Sequence, residues 1–260
     1  MKRVSKLFAL LIAALSVALV SCNKDGSSDN FYVSYGVIVG TQDAYTIKTD
    51  GGNTLTVIEN LVPSFPVVDG MRVRVNYTIE KQTANGFEIR LNAIEKILSK
   101  DPVYSTKLTP EELTALGNDP IDVEDAWFGG NYLNVNFFVF RFDPSLAHFI
   151  NLLVDEQNST ADNVVVILKH NAYGDPATSL AFGRVSFDIS GLVPAGQKSV
   201  KITLKWTNYN NVERSDSGIF TLDDPAASTT LTGAKDEQST GAALGACSPR
   251  HHSIKFIKEE

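Results

Sequence analysis

The strongest constraint on the fold is a strict alternation of apolar and polar side chains over residues 71–80. Successive side chains of a β-strand point to opposite faces of a sheet, so this period of two predicts a strand with one buried face. Asn85 and Gly86 follow and favour a two-residue type I′ turn. Alternate apolar residues beyond the turn predict a second strand that returns antiparallel to the first. The alternating residues are Met71, Val73, Val75, Tyr77 and Ile79, then Phe87, Ile89 and Leu91.

Three further strands are predicted ahead of this hairpin. Residues 31–39 are aromatic and β-branched, and residues 45–49 and 54–58 flank a short loop of Asp, Gly and Asn. The two prolines that follow cannot lie in a central strand, so the segment around them is predicted to be a connection. Five short strands in about seventy residues are typical of a small closed barrel of the OB kind. We predict such a barrel for residues 31–100.

Residues 101–120 are predicted to be a linker with one short helix. Thr109, Pro110 and Glu112 have the spacing of a capping box, with proline at the first helical position, where it is tolerated. Gly117 is typical of a residue that ends a helix. We expect the helix to pack either across an open end of a sheet or across the junction between two units.

Residues 121–222 predict a second all-β unit. Short apolar stretches alternate with clusters of Gly, Asn, Asp and Pro and show no helical period, which is typical of an antiparallel β-sandwich. Residues 131–140 carry apolar side chains on both faces near their end, which predicts a central strand covered on two sides. Trp206 continues the apolar phase of its strand and is predicted to be core. The predicted strands are 131–140, 149–154, 164–168, 185–189, 200–206 and 219–222, and the last turn cluster is 208–217.

The predicted fold class is therefore all-β, with a small OB-like barrel, one short linker helix and an antiparallel β-sandwich. Residues 223–260 fall outside both units. They are rich in Ala, Ser, Thr and Gly and cannot bury enough apolar surface to offset the entropy of ordering, so we predict a disordered tail. Within it, residues 254–257 have the composition of a late edge strand.

The N-terminal residues predict export and a lipid anchor. Residues 1–21 join a basic start to an uncharged apolar run, too short for a comfortable membrane span and typical of a signal peptide. The run ends in a lipoprotein box, Leu19-Val20-Ser21-Cys22. The thiol of Cys22 can be alkylated with diacylglycerol, and cleavage before it frees an amine for another acyl chain, so two or three chains anchor the protein durably. An ordinary secretory signal with an incidental Cys22 is the alternative.

Lipidation at Cys22 makes residues 22–30 a short polar tether between the membrane and the barrel. Its Lys24-Asp25 pair resembles part of the charged surface-export signals of Bacteroidetes-type lipoproteins. We therefore expect a lipoprotein of the bacterial outer membrane, facing either the periplasm or the cell surface.

The net charge disfavours two kinds of partner, and the cysteine content limits disulfide formation. Loss of residues 1–21 removes three basic and no acidic residues, which changes the net charge from −7 to −10. An acidic surface disfavours nucleic acids and anionic lipid head groups as partners. The sequence contains two cysteines, so lipidation of Cys22 leaves Cys247 without an intrachain disulfide partner.

Several short motifs are distributed along both predicted units. They are DGMRVRVNY at 69–77, Ile94 with ILSK at 97–100, NDPI at 118–121, WFGGNYLNV at 127–135, His148 with INL at 150–152, and LKHNAYGD at 168–175. Together these motifs resemble the NigD-like lipoproteins, over about residues 31–222. The resemblance implies an N-terminal OB-type domain and a C-terminal β-sandwich, with no established activity. The family's occurrence beside a bacteriocin gene implies at most a role in self-protection.

The sequence offers few groups for catalysis. The two predicted units contain only His148 and His170 as histidines, and His170 precedes Asp175 by five residues, so a His–Asp dyad is conceivable. No nucleophile in an elbow motif accompanies it, so we favour a hydrogen bond between His170 and a loop carbonyl. Cys247 and the histidine pair after it lack the fourth ligand that zinc requires. We predict no catalytic, cofactor-binding or metal site, and lipidation at Cys22.

Binding is the class of function that the sequence favours. OB barrels often bind oligonucleotides or oligosaccharides, and Arg72 and Arg74 are predicted to face outward, but no basic–aromatic stripe accompanies them. The hypothesis is a non-enzymatic cell-envelope lipoprotein that serves as a protein-interaction or bacteriocin-immunity module. The alternative is a surface glycan-binding lipoprotein. Aromatic residues that could stack on sugars if exposed are Trp127, whose burial is left open, Tyr132, Trp206 and Tyr209.

Overall fold

The computed structural model describes residues 30–223 and the pair 239–240, which form two packed all-β units. The predictions for Cys22, Cys247 and residues 254–257 lie outside these ranges. Within them, no helix is long and apolar enough to cross a bilayer.

Five strands form a closed barrel. They are β1 (Asn30–Thr41), β2 (Ala44–Thr49), β3 (Thr54–Asn60), β4 (Arg72–Thr83) and β5 (Gly86–Lys96). Their order is β1-β2-β3-β5-β4, and β4 closes the ring by pairing antiparallel with β1. β3 and β5 run parallel. This is the OB arrangement predicted from the sequence. A two-residue strand, Ser239–Thr240, pairs with the start of β1 and belongs to the segment predicted to be disordered.

The alternation in β4 builds the barrel core, because its odd-numbered residues point inward. At the start of β5, a Cβ on Gly86 would lie 2.0 Å from the carbonyl oxygen of Thr54, so only glycine fits there. The proline-containing segment 61–70 is a connection, as predicted, and it packs apolar side chains against the core. The fully buried residues are Ile38, Ile47, Leu55, Val73, Val75, Tyr77, Ile89 and Leu91, and the connection adds Val62, Phe65 and Val67.

The sandwich contains a five-stranded and a four-stranded sheet. Its strands are β6 (Leu98–Lys100), β7 (Val103–Tyr104), β8 (Asp122–Gly129), β9 (Tyr132–Arg141), β10 (Phe149–Val154), β11 (Asn163–Asn171), β12 (Ser179–Asp188), β13 (Ser199–Thr207) and β14 (Glu213–Thr221). The sheet orders are β14-β13-β11-β10-β7 and β6-β12-β9-β8. Most neighbours pair antiparallel, whereas β6 with β12, β7 with β10 and β11 with β13 run parallel.

The segment between β5 and the helix supplies one strand to each sheet of the sandwich. β6, which falls within the predicted barrel unit, pairs with β12, and β7 pairs with β10. Helix α1 (Pro110–Ala115) follows, and its predicted capping box is confirmed: the hydroxyl of Thr109 accepts from the N–H of Glu112, whose carboxylate accepts from the N–H of Thr109. Asn171 donates to the carbonyl oxygen of Ala115, so the helix lies against one end of the sandwich.

The sandwich core fills the space between its two sheets, and Trp206 lies in it as predicted. The predicted turn cluster 208–217 is wrong in its second half, because β14 begins at Glu213. The first residues of β14 are polar and exposed, since β14 is an edge strand, and they therefore lack an apolar period. β12 likewise begins six residues before its predicted start at residue 185.

Candidate functional site

A buried ion pair lies where the barrel meets the sandwich. The guanidinium of Arg72 donates to both carboxylate oxygens of Asp50, with N–O distances of 2.5 and 2.6 Å. It also donates to the side-chain oxygens of Asn134 and Ser186 on the four-stranded sheet, at 3.0 and 3.3 Å. The side chain of Arg72 has no exposed surface, so its charge is balanced and its donors are directed entirely within the protein.

Aromatic rings enclose this ion pair. The guanidinium carbon of Arg72 lies 4.1 Å from the ring centre of Tyr132 and 5.7 Å from that of Tyr35. Tyr35 meets Trp127 edge to face, with ring centres 5.3 Å apart, and both pack with Ile97 in a small buried cluster. Trp127 is therefore part of the junction and is not available for stacking on a ligand.

The prediction that Arg72 faces outward is wrong. The alternation does turn its side chain away from the barrel core, but the sandwich covers that face. Gly129 shows how closely the two units approach, because a Cβ there would lie 2.3 Å from a carboxylate oxygen of Asp50. The part of the barrel surface that carries Arg72 is thus closed to an external ligand.

Three ionisable side chains form a hydrogen-bonded chain at the other end of the sandwich. His170 Nδ1 lies 2.8 Å from the carbonyl oxygen of Pro120, and His170 Nε2 lies 2.9 Å from His148 Nδ1. His148 Nε2 lies 3.0 Å from Asp175 Oδ2. The bond between His170 and a loop carbonyl is confirmed. Asp175 does form a His–Asp pair, but its partner is His148 and not His170.

The bonds of this chain determine where its protons lie. A carbonyl oxygen can only accept, so His170 carries a proton on Nδ1. The carboxylate of Asp175 likewise accepts, so His148 carries a proton on Nε2. Asp175 also accepts the backbone N–H groups of Phe142 and Asp143, which favour its ionised form.

We expect acid to destabilise the protein below about pH 6.5. Burial lowers the pKa of His170 below its ordinary value of 6.5, and the nearby His148 adds to this, against the hydrogen bond to Pro120. The unfolded chain therefore binds a proton at pH values where the folded chain does not. Stability that is present above pH 6.5 is lost as the pH falls through the lower pKa of the folded state.

Asp175 adds a second loss of stability at lower pH. Burial acts to raise its pKa, but hydrogen bonds from His148 and from the N–H groups of Asp143 and Phe142 outweigh burial and lower the pKa below 3.8.

Thermal unfolding at about pH 7.5 and about pH 5.5 isolates the contribution of His170. The variant His170→Gln should unfold at a lower temperature at the higher pH, yet lose less on acidification. An equal loss in wild type and variant would assign the acid sensitivity to other groups.

Burial limits the chemistry of the histidine chain. His148 and Asp175 expose 7% and 1% of their side chains, and both ring nitrogens of each histidine are already hydrogen-bonded. Across residues 30–223, no three His, Cys, Asp or Glu side chains are placed to hold a metal ion. The arrangement instead fastens the loops on either side of it to the end of the sandwich.

An exposed apolar surface lies on the outer face of the four-stranded sheet. Strand register puts Phe138 beside Phe182 and Phe140 beside Leu180, and the rings of Phe138 and Phe182 are 5.4 Å apart. Leu180 is 58% exposed and Phe182 is 41% exposed. Phe142, which is 67% exposed, lies directly beyond the end of β9. We call these five residues the outer-sheet patch.

Cover on this face is incomplete. Asn134 and Asn136 of β9 are buried towards the barrel, whereas Phe138 and Phe140 are only half-buried. The prediction that both faces of β9 are covered is therefore correct for the part near the barrel and wrong for the end of the strand beyond it. Sequence reasoning found the apolar outer face of β9 but missed the β12 side of the patch, because the predicted strand starts too late.

The other aromatic residues considered for sugar stacking are occupied. Trp206 lies in the sandwich core, and Tyr132 lies under the guanidinium of Arg72. The hydroxyl of Tyr209 accepts the backbone N–H of Phe140 at 2.6 Å, and the two rings meet edge to face. The residues that the glycan hypothesis relied on are thus used within the fold.

Comparison with known families bears on this architecture directly. Residues 37–97 match the model of the NigD-like N-terminal OB domain, and residues 104–217 match that of the NigD-like C-terminal beta sandwich domain. The chain belongs to the NigD-like family. The resemblance noted from the sequence motifs is thereby confirmed, as is the combination of an OB-like barrel with a β-sandwich. No protein with a curated description matches this NigD-like chain.

Solved structures share the fold of this NigD-like chain. One described as a toxin-related protein, from Parabacteroides distasonis, is 24% identical with a TM-score of 0.65, and the match covers 76% of this chain and 96% of that one. A NigD-like immunity protein from Bacteroides caccae is 18% identical with a TM-score of 0.57, covering 74% and 96%. One described as a lipoprotein, from Bacteroides fragilis, is 10% identical with a TM-score of 0.53, covering 74% and 97%. At such identities the likeness shows a shared fold.

Proposed function

We propose that this NigD-like chain is a lipid-anchored, non-enzymatic protein of the bacterial envelope that binds a protein partner, as an immunity protein does. In this proposal Cys22 carries the lipid, residues 22–30 tether the barrel to the outer membrane, and the sandwich presents the binding surface. The lipoprotein box and the presence of an immunity protein and a lipoprotein among the similar structures support it.

The outer-sheet patch is the observation that carries the proposal. Scattered exposed apolar residues are common, but here four large ones adjoin on one sheet face, with the exposed Phe142 directly beyond it, and contiguous apolar patches mark interaction sites. Aromatic residues are enriched in the centres of protein–protein interfaces. The patch lies on the sandwich, whereas the tether enters the barrel at Asn30, so an anchored molecule can hold the patch away from its point of attachment.

A protein partner suits the patch better than a glycan. Sugar-binding sites combine a stacking ring with polar groups that fix orientation, but the patch consists of phenylalanine and leucine, and both tryptophans are buried. The enclosure of the ion pair and of the histidine chain supports a binding role over a catalytic one, because neither presents a free reactive group to solvent.

Survival of a bacteriocin-sensitive indicator strain tests the proposal. Cells that express the wild type should survive a cognate bacteriocin, and Leu180→Ser should reduce survival by at least about tenfold, since a polar side chain weakens an apolar interface. Ile219→Ser is a matched control, because Ile219 is 56% exposed and Leu180 58%, and Ile219 lies on the other sheet. Protection that is absent with the wild type, or equal for all three proteins, would contradict the proposal.

A further inference from the structure

One stretch of the four-stranded sheet has an open backbone edge beside the outer-sheet patch. β12 pairs with β9 along its whole length, from Ser179 to Asp188. On its other side β6 pairs only with residues 185–187. Residues 179–184 therefore have no strand neighbour on that side within the part of the chain that the structure describes. This edge is as long as a typical strand addition requires.

The direction of the free hydrogen-bonding groups follows from one contact. The N–H of Phe140 donates to the hydroxyl of Tyr209, so it points away from β12. Opposed residues in an antiparallel pair alternate between hydrogen-bonded and non-hydrogen-bonded positions. Phe140 opposes Leu180, so the N–H and C=O groups of Leu180 point to the open edge, and those of Phe182 and Arg184 follow at the same period.

Among the residues that the structure describes, none of the usual features that block strand addition is present at the open edge. Natural edges are blunted by proline, by bulges, by inward-pointing charges or by a covering element. Residues 179–184 contain no proline and one charged residue, Arg184. The guanidinium of Arg184 lies over the ring of Phe182 at 4.4 Å and pairs with Glu95 at 3.2 Å. Its charge is therefore held against the patch by these contacts and does not block the backbone edge.

We propose that residues 179–184 of β12 accept an extended segment of a positively charged partner protein, which adds to the four-stranded sheet as a further strand. The inference rests on the proposed function and specifies how the partner binds. Main-chain hydrogen bonds to Leu180, Phe182 and Arg184 supply affinity, and alternate apolar side chains of the segment cover the outer-sheet patch. The added strand continues the line of β6 along β12.

Charge determines the kind of partner. Glu95 and Arg184 balance each other at the open edge, so the excess negative charge of the sheet comes from Asp122 and Glu124 on β8, two strands or about 10 Å away. Asp122 opposes Phe138 and contributes to the raised pKa of Tyr209, after the larger effect of burial. The chain as a whole carries a net charge of −7. This field favours a cationic segment and disfavours a second copy of the same acidic chain.

Residue-resolved amide hydrogen exchange tests the inference with a defined probe. The probe is a blocked ten-residue peptide of alternating valine and lysine, and the matched control replaces lysine by glutamate. The free protein should exchange the amides of Leu180, Phe182 and Arg184 quickly and those of Ala181 and Gly183 slowly. The lysine peptide should slow the first set at least about tenfold, because each amide gains a hydrogen bond, and leave the second set unchanged.

A pair of substitutions separates the backbone contribution from that of the side chain. Leu180→Ala and Leu180→Pro both shorten the side chain, but only proline removes the outward N–H, at an edge position where proline is tolerated. Leu180→Pro should weaken peptide binding about tenfold more than Leu180→Ala.

Three results would overturn the inference that a cationic partner adds a strand. They are unchanged exchange with the lysine peptide, equal weakening by the two substitutions, and protection of the same amides at high protein concentration without peptide, with a doubled mass in sedimentation. The last result would identify a second copy as the occupant. If the indicator strain still loses protection with Leu180→Ser, any of these outcomes leaves the proposed binding function intact and rejects only its mode.

Discussion

Replacing Asp50 by alanine should lower the free energy of unfolding by about 3–5 kcal/mol, because it leaves the buried guanidinium of Arg72 without its counter-charge. Arg72 would keep its bonds to Asn134 and Ser186, but these are neutral acceptors and do not balance a charge. The rings of Tyr132 and Tyr35 lie against the guanidinium and limit the access of water to it. Urea unfolding followed by tryptophan fluorescence measures the loss, since Trp127 reports on the junction and Trp206 on the sandwich core.

An exposed ion pair provides the control for this experiment. Lys81 and Glu88 are 3.4 Å apart, and Lys81 exposes 68% of its side chain, so Glu88→Ala should cost less than about 1 kcal/mol. The double variant Asp50→Leu with Arg72→Met removes both charges and keeps apolar bulk, and it should recover most of the loss. Equal effects of Asp50→Ala and Glu88→Ala would mean that water reaches Arg72 and that the junction is open in solution.

Replacing Cys22 by serine should move nearly all of the protein from the membrane fraction to the soluble fraction. Each buried methylene of an acyl chain contributes about 0.8 kcal/mol, so under the proposed lipidation the variant loses two or three chains and with them the anchor. The described fold begins after Cys22, so the variant should unfold at the temperature of the wild type once the signal segment is removed.

Cys247→Ser is the matched control for this second experiment, because it removes the other cysteine and leaves the lipoprotein box intact. This control should stay in the membrane fraction and incorporate labelled palmitate, whereas Cys22→Ser should incorporate none. Retention of Cys22→Ser in the membrane, or absence of label in the wild type, would show that another segment holds the protein there.

Local patterns sufficed for the barrel hairpin and the capping box. The period of two in residues 71–80 acts over a few residues, so β4 and β5 pair antiparallel as the pattern predicts. The predicted type I′ turn at Asn85 and Gly86 is wrong, because Thr83 opposes Gly86 and the loop residues Ala84 and Asn85 lack the positive φ of that turn. The bonds between Thr109 and Glu112 are equally local. In each case the residues that specify the structure are also those that form it.

Long-range packing limited the prediction elsewhere. Alternation correctly placed Arg72 outside the barrel core. Its partners Asn134 and Ser186 lie 62 and 114 residues later, so no local sequence pattern predicts that they cover it. The β12 side of the outer-sheet patch was not predicted, for a related reason. Leu180 and Phe182 show no buried period because one face of their strand is unoccupied, so the sequence pattern resembled that of a loop.

The passage from barrel to sandwich has a mechanical consequence. β5 ends at Lys96 and β6 begins at Leu98, so one residue, the buried Ile97, separates them, and its N–H donates to the carbonyl oxygen of Arg72. Bending at this point requires ladder hydrogen bonds to break, since no slack segment exists to absorb it. In the proposed anchored protein, a force on the N-terminal tether would therefore reach β12 through hydrogen-bonded strands, and we expect the open edge to keep its orientation.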